Sequence, residues 1–252
     1  MIEPAIARSI EGVVFDVDDT LTRGGVVERE AYDALWALRE HGLRTIAVTG
    51  RPLGWAEVLA TTWPVDLAIG ENGAGWWWRE GRTLRSSFYA AADPAALERV
   101  RARVASELPG VREAIDQPLR RRDLAFDVGE TVRLEPSIVE RLVAIIEREG
   151  MRSMVSTVHA HAIPGDWDKA RGAVRALHEV LGLDEEQVRT RLLFVGDSGN
   201  DAAAFGFFEH TAGVANVRDH LHVLPRAPRW IAGADRGRGF AEIVSALIAG
   251  RA

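Results

Sequence analysis

With 252 residues, 47% of them hydrophobic and 27% charged, the chain can bury a sizeable core and is too apolar to be dominated by disorder. A formal charge of −6 excludes a general nucleic-acid binder, and the absence of cysteine excludes disulfides, thiolate metal sites and a cysteine nucleophile. No stretch reaches the roughly 18 apolar residues of a membrane span, and the N-terminus carries no signal-peptide pattern, so a soluble cytoplasmic protein is expected.

Residues 10–17 form a short apolar run rich in β-branched side chains that ends in Asp16, Asp18 and Asp19. This reads as a buried strand delivering carboxylates to its C-terminal tip, where open parallel sheets place their active sites. Helical spacing of Ala31, Leu35 and Leu38 predicts a helix over 28–40, which Gly42 ends. A second strand over 45–48 runs directly into Thr49, Gly50 and Arg51. A helix over 53–61 and a strand over 65–69 follow, then Gly70, Glu71, Asn72 and Gly73. Strand–helix alternation of this kind implies right-handed crossovers and a parallel sheet.

The middle of the chain has another texture. Residues 76–78, 83–84, 124–128 and 153–163 read as strands, and 94–107 and 136–149 as helices opening on Pro94 and Pro136. After Asp168 the earlier pattern resumes with a helix to Leu181, a strand over 191–195 and then Gly196, Asp197, Ser198, Gly199, Asn200 and Asp201. The expected architecture is therefore an α/β protein: a doubly wound, Rossmann-like parallel core from residues 1–75 and 167–252, with residues 76–166 inserted as an α+β cap.

Three acidic or hydroxyl-bearing clusters thus lie at core strand tips. Asp16 and Asp18, two residues apart, can aim one carboxylate at a substrate and hold the other beside the leaving group. Thr49 adds a hydroxyl, and Asp197 with Asp201 adds further carboxylates. Carboxylates alone repel a phosphate; a hard divalent cation with oxygen ligands, most simply Mg²⁺, resolves the conflict. Of 31 positive side chains only Lys169 is a lysine.

The order DVDDT at 16–20, TGR at 49–51, Lys169 and GDSGND at 196–201 resembles the four motifs of the haloacid dehalogenase superfamily. An insertion between the second and third motifs, and ENGA at 71–74, are similar to its Cof-type (IIB) branch with a large α/β cap. The resemblance implies a phosphatase in which Asp16 is the nucleophile and Asp18 the general acid/base. It further implies that Asp16, the backbone carbonyl of Asp18 and Asp197 hold Mg²⁺, with Asp201 supporting that shell. Thr49, Gly50 and Lys169 would bind the phosphoryl group, Asn200 would fix its loop, and Arg51 and Asn72 would face the substrate. A sugar phosphate is the expected substrate, with phosphoglycolate or another small phospho-acid as alternatives. A phosphomutase of the same fold and a receiver-like phospho-aspartate module are rival readings, the second opposed by Asp18, GDSGND and the insertion.

Taken singly, each motif has a plainer reading, since a DxD pair is common in turns and GDSGND would cap a helix. Three further features stay open. Alternation along a strand means that at least one of Trp76, Trp77 and Trp78 packs into the cap rather than onto a ligand. His159 and His161 share a strand face, which suits an ordinary polar surface better than a metal site. Arg120, Arg121 and Arg122 are either a solvated run or a reach toward an anionic substrate.

Overall fold

The computed structural model describes residues 2–90 and 94–251. Its first part comprises Pro4–Ser9 (α1), Gly12–Phe15 (β1), a hairpin of Thr22–Arg23 (β2) and Val26–Val27 (β3), Arg29–Glu40 (α2), Arg44–Val48 (β4), Leu53–Thr62 (α3), Leu67–Gly70 (β5), Gly75–Glu80 (β6) and Thr83–Phe88 (β7). Pro94–Glu107 (α4), Leu124–Asp127 (β8), Pro136–Arg148 (α5), Arg152–Val155 (β9) and His159–Ile163 (β10) come next. The chain closes with Lys169–Leu181 (α6), Glu185–Arg191 (α7), Leu192–Gly196 (β11), Ala202–Phe207 (α8), His210–Gly213 (β12), Trp230–Ile231 (β13) and Arg236–Ala249 (α9).

One eight-stranded sheet runs β13-β12-β11-β1-β4-β5-β6-β7. It is parallel from β13 through β5, as the alternation of strands and helices requires, and antiparallel where β6 and β7 are added. Strand β1 lies in the middle and is buried on both faces. Val13 and Phe15 point into a core shared with α2 and α9, and Val14 points into a second core with α6 and α8. That double burial explains why its sequence is a continuous apolar run rather than an alternation. Each such Val or Phe removed from water contributes about 1.5–3 kcal/mol.

A separate three-stranded antiparallel sheet, β8-β10-β9, forms the cap. Helices α4 and α5 cover one face of it through Val100, Val104, Leu142, Ile145 and Ile146, which pack on Leu124, Phe126, Ala160 and Ala162. Because side chains alternate along β10, His159 and His161 fall on the opposite face, toward the large sheet.

The expected start of the insertion at residue 76 needs correcting. Trp76–Trp78 and residues 83–88 are not cap strands; they extend the large sheet as an antiparallel hairpin on β5. Trp76 and Trp78 pack on one face of that sheet and Trp77 on the other, so none of the three packs into the cap core. The chain leaves the large sheet only after Phe88. Expected strand 153–163 is also split in two, because residues 156–158 turn back over the site.

Candidate active site

Strand tips β1, β4, β5 and β11 converge at one edge of the large sheet, and the turns that leave them are unusual. The four non-glycine residues with positive φ among those described are Asp19 (54°), Glu71 (47°), Asn72 (55°) and Arg236 (51°). All four surround this edge, where such strain of about 1–3 kcal/mol per residue is held by neighbouring hydrogen bonds. Gly73 (φ 112°) belongs to the same turn. A Cβ there would lie 2.3 Å from the Asp168 carbonyl oxygen, so only glycine lets the start of α6 approach.

That approach brings Lys169 into the centre. Its ammonium, fully buried, donates to Asp16 Oδ1 at 2.5 Å and Asp201 Oδ1 at 2.6 Å. Asp16, Asp197 and Asp201 are all buried, and each offers a carboxylate oxygen within 4.8 Å of the others. Thr20 bridges Asp16 and Asp197 through its hydroxyl, at 3.4 and 3.1 Å. Asp201 has little left to offer a ligand, since Oδ2 accepts from the backbone N–H groups of Asp197 and Ser198. It positions the loop and the lysine.

Charge balance at this cluster is unfavourable: three carboxylates meet one ammonium. Burial, only partly offset by Lys169, pushes the Asp16 carboxyl up to about 7, and burial together with Asp16 and Asp201 raises Asp197 well above the usual range. Burial opposes the charge on Lys169, yet Asp16 and Asp201 outweigh it and raise its pKa. A hard divalent cation would supply the missing positive charge, and the donors are all-oxygen, so the residues present fit Mg²⁺.

Asp18 turns away from this cluster and forms a two-pronged pair with Arg51, at 2.9 Å from both Nε and Nη2. Arg51 is itself nearly buried, and Nη1 donates to Glu130 at 2.6 Å and Asp116 at 3.3 Å in the cap. In this arrangement Arg51 is engaged by carboxylates, and its immediate role is to hold Asp18 and tie cap to core. Thr49 is buried and accepts from the Arg51 N–H. Gly50, Asn72 and Asn200 stand together: Ser198 donates to Asn200 Oδ1, and Asn200 Nδ2 reaches Asn72 Oδ1 at 3.5 Å.

Asp16, Asp18, Gly50, Ser198 and Asn200 line the core side of a tight cavity of about 10 Å³, and residues 156–159 with His161 close it from the cap. That space admits roughly one water. The structure therefore represents a closed arrangement that must open for a larger molecule.

The arginine run follows neither of its two sequence readings. Arg120 is buried, pairs with Asp116 and Asp123, and donates to the Gly50 carbonyl at 2.9 Å. Arg121 lies over Trp77 and Phe88, and Arg122 over Phe88 with a bond to the Tyr89 carbonyl. The backbone N–H groups of Arg121, Arg122 and Asp123, with that of Leu53, all donate to buried Glu71. The run fastens the cap to the hairpin that sequence reading had assigned to the cap itself.

Sequence reading also missed Thr20 and Asn216. Asn216 donates to Asp197 Oδ2 at 2.9 Å and to the Asp19 carbonyl, just beyond the tip of β12. Its placement after a short buried strand was the available signal. Among the described residues, no helix is long and apolar enough to cross a membrane.

The sequence profile of haloacid dehalogenase-like hydrolases matches residues 13–87. No curated protein matches the sequence. Solved structures do: a Thermoplasma acidophilum protein has a TM-score of 0.76 at 19% identity, covering 95% of this chain and 98% of that one. A subclass IIB sugar phosphatase of the haloacid dehalogenase superfamily has 0.67 at 15%, covering 95% and 98%. The sucrose-phosphatase of Synechocystis, solved with sucrose and phosphate, has 0.65 at 17%, covering 96% and 98%.

Proposed function

We propose that the chain is a haloacid dehalogenase-like hydrolase, with the fold of the subclass IIB enzymes, and a Mg²⁺-dependent phosphatase acting on a small phosphorylated metabolite, with sugar phosphates as the favoured class. The observation that carries this reading is the buried set of Asp16, Asp197, Asp201 and Lys169, of which Asp16 lines a cavity covered by the cap. Sugar phosphates are favoured because two relatives of this fold are a sugar phosphatase and a sucrose-phosphatase.

In this reading an Asp16 oxygen attacks phosphorus while the ester P–O bond breaks, and Asp18 gives its proton to the departing oxygen. Water then attacks the aspartyl-phosphate, passing a proton to Asp18, which releases inorganic phosphate and restores the Asp16 carboxylate. Mg²⁺ held by Asp16, Asp197 and the Asp18 carbonyl would neutralise the carboxylates and the phosphoryl oxygens. Lys169 and Thr49 bind phosphoryl oxygens, and Asn200 fixes the loop beside them. Arg51 holds Asp18 in its two-pronged pair and contacts Glu130 and Asp116, so it links the proton-delivering group to the cap. The inserted region after Phe88 selects the leaving group.

The test is phosphate release from a panel of sugar, polyol and small-acid phosphates in Mg²⁺, with wild type and Asp16→Asn. Release by wild type and none by the variant is expected, since the amide keeps the shape but loses the nucleophile. Steady-state release by Asp16→Asn would refute the covalent route. Dependence on a bisphosphate without net release would indicate a phosphomutase.

A further inference from the structure

Two buried polar atoms at the cap–core boundary have no partner: Asn72 Nδ2 from the core and His161 Nε2 from the cap. Both meet at Gly50. A Cβ built on that glycine would sit 3.3 Å from each of them and 3.2 Å from Asn72 Oδ1, so these three atoms line a narrow notch beside Gly50. Gly50 and His161 line the cavity that also contains Asp16 and Asp18. Leaving such groups unpaired costs about 1–3 kcal/mol each, so a group that pairs with both is favoured at this position.

The hydrogen bonds behind each atom define what it offers. Asn200 Nδ2 donates to Asn72 Oδ1 at 3.5 Å, which gives that oxygen a partner and leaves the Asn72 NH₂ group as the unpaired end of the amide. Asp123 Oδ2 lies 2.8 Å from His161 Nδ1. Asp123 is buried, and despite that burial Arg120 and His161 hold its carboxyl below the usual range, so it is an ionised acceptor. The proton of the imidazole therefore sits on Nδ1, and Nε2 is left as an acceptor. Burial pushes His161 down to about 4, which keeps the ring neutral near pH 7. With Asn72 Oδ1 already paired to Asn200, the notch presents one unpaired donor and one unpaired acceptor, neither of them charged. A carboxylate or phosphoryl oxygen satisfies only the donor, and an ammonium only the acceptor. A hydroxyl satisfies both, accepting from Asn72 and donating to His161.

We infer that His161, backed by Asp123, is a specificity-determining residue that together with Asn72 recognises one hydroxyl of the leaving group beside the phosphoester. This deepens the phosphatase reading and rests on it. The site selects an alcohol-bearing substrate such as a polyol or sugar phosphate over a phospho-acid of similar size, because only a hydroxyl matches both atoms. Asp123 acts through His161 by fixing its tautomer and orientation.

The experiment compares kcat/KM for sugar and polyol monophosphates with matched monodeoxy analogues, in wild type, His161→Phe, His161→Gln and Gly50→Ala, with phenyl phosphate as a substrate lacking any hydroxyl. In wild type, loss of one particular hydroxyl should lower kcat/KM by about 10²-fold, because it strands a buried donor and acceptor. In His161→Phe that ratio should fall below about threefold, and His161→Gln, whose amide oxygen still accepts, should restore part of it. The ratio between matched substrates is read on the same folded fraction, so reduced stability of a variant does not imitate the effect. Gly50→Ala fills the same notch from the core side and should also flatten the ratio, which covers the case in which His161→Phe does not fold. Equal deoxy penalties in wild type, His161→Phe and Gly50→Ala, or turnover of phenyl phosphate without turnover of any hydroxylated substrate, would overturn the assignment and leave the notch as a water site. Failure of wild type to release phosphate from any ester, phenyl phosphate included, would instead sink the phosphatase reading itself.

Discussion

Replacing Lys169 by methionine leaves the nonpolar stem and removes the ammonium that contacts both Asp16 and Asp201. Breaking a buried ion pair costs about 3–5 kcal/mol, because the abandoned carboxylate keeps its desolvation penalty. In a chain of this size each kcal/mol moves Tm by about 2–4 °C, so a fall of roughly 6–20 °C is expected in metal-free buffer. The fall should shrink as pH drops toward about 7 and be smallest below it, because Lys169 lowers the Asp16 carboxyl and without it Asp16 takes up a proton at still higher pH and no longer needs the cation. Lys169→Arg keeps the charge but forces a longer, planar fork into a fully enclosed position, and overpacking of this kind costs about 1–3 kcal/mol. Its larger effect should be on rate: a displacement of about 1 Å at the reacting group lowers kcat/KM by about 10²-fold. Arg175→Lys on the same helix is the control. Arg175 lies 4.4 Å over the Tyr89 ring, so its loss should cost about 0.5–1 kcal/mol without affecting turnover. Thermal unfolding in chelator, read beside phosphate release, decides the matter. A Lys169→Met variant within about 2 °C of wild type, or a Lys169→Arg variant with wild-type turnover, would refute the reasoning.

Chelation should silence turnover and Mg²⁺ restore it, and saturating Mg²⁺ at about 100 times its Kd should raise stability by about 2.7 kcal/mol; Asp197→Asn should abolish that Tm increase. Glu71→Ala removes the acceptor of four backbone N–H groups, three of them in the cap segment 121–123, and should lower Tm by more than about 5 °C with faster hydrogen exchange at those amides. Burial, with Asp123, raises Glu71 to about 7 from an ordinary 4.5, so the folded state holds a proton that the unfolded chain releases. Wild type should therefore lose stability as pH rises from about 4.5 to 7, and Glu71→Gln should flatten that slope in pH-dependent unfolding. Arg120→Ala strands Asp116 and Asp123 inside the cap boundary and should destabilise by about 3–5 kcal/mol in denaturant melts. Arg121→Ala, on an exposed side chain, should cost under about 1 kcal/mol.

Much of this protein is local enough to be read from its sequence. A continuous apolar run such as 12–15 can only be a strand covered on both faces, and the acidic residues that follow it must then emerge at the sheet edge. The same logic brings Thr49, Asp197 and Asp201 to one place, because parallel strands all end at the same edge of the sheet, whereas Lys169, at the start of α6, reaches them through the close approach at Gly73. Helices α2, α4 and α6 begin and end within a residue of their expected bounds, for reasons confined to a few neighbours.

What tertiary structure alone decided is which surfaces meet. Trp76–Trp78 form a strand in either sheet; only the availability of the β5 edge, with cover on both faces, sends them to the core rather than the cap. Nothing near Arg120 in sequence foretells that its guanidinium reaches the Gly50 carbonyl, 70 residues away, or that Glu71 gathers the backbone of 121–123. The His159–His161 face looks like solvated polar surface until the cap closes, and closure turns an ordinary alternation into a buried acceptor aimed at a notch. Periodicity states which residues share a face, but the identity of the opposing face depends on long-range contacts that leave no local trace.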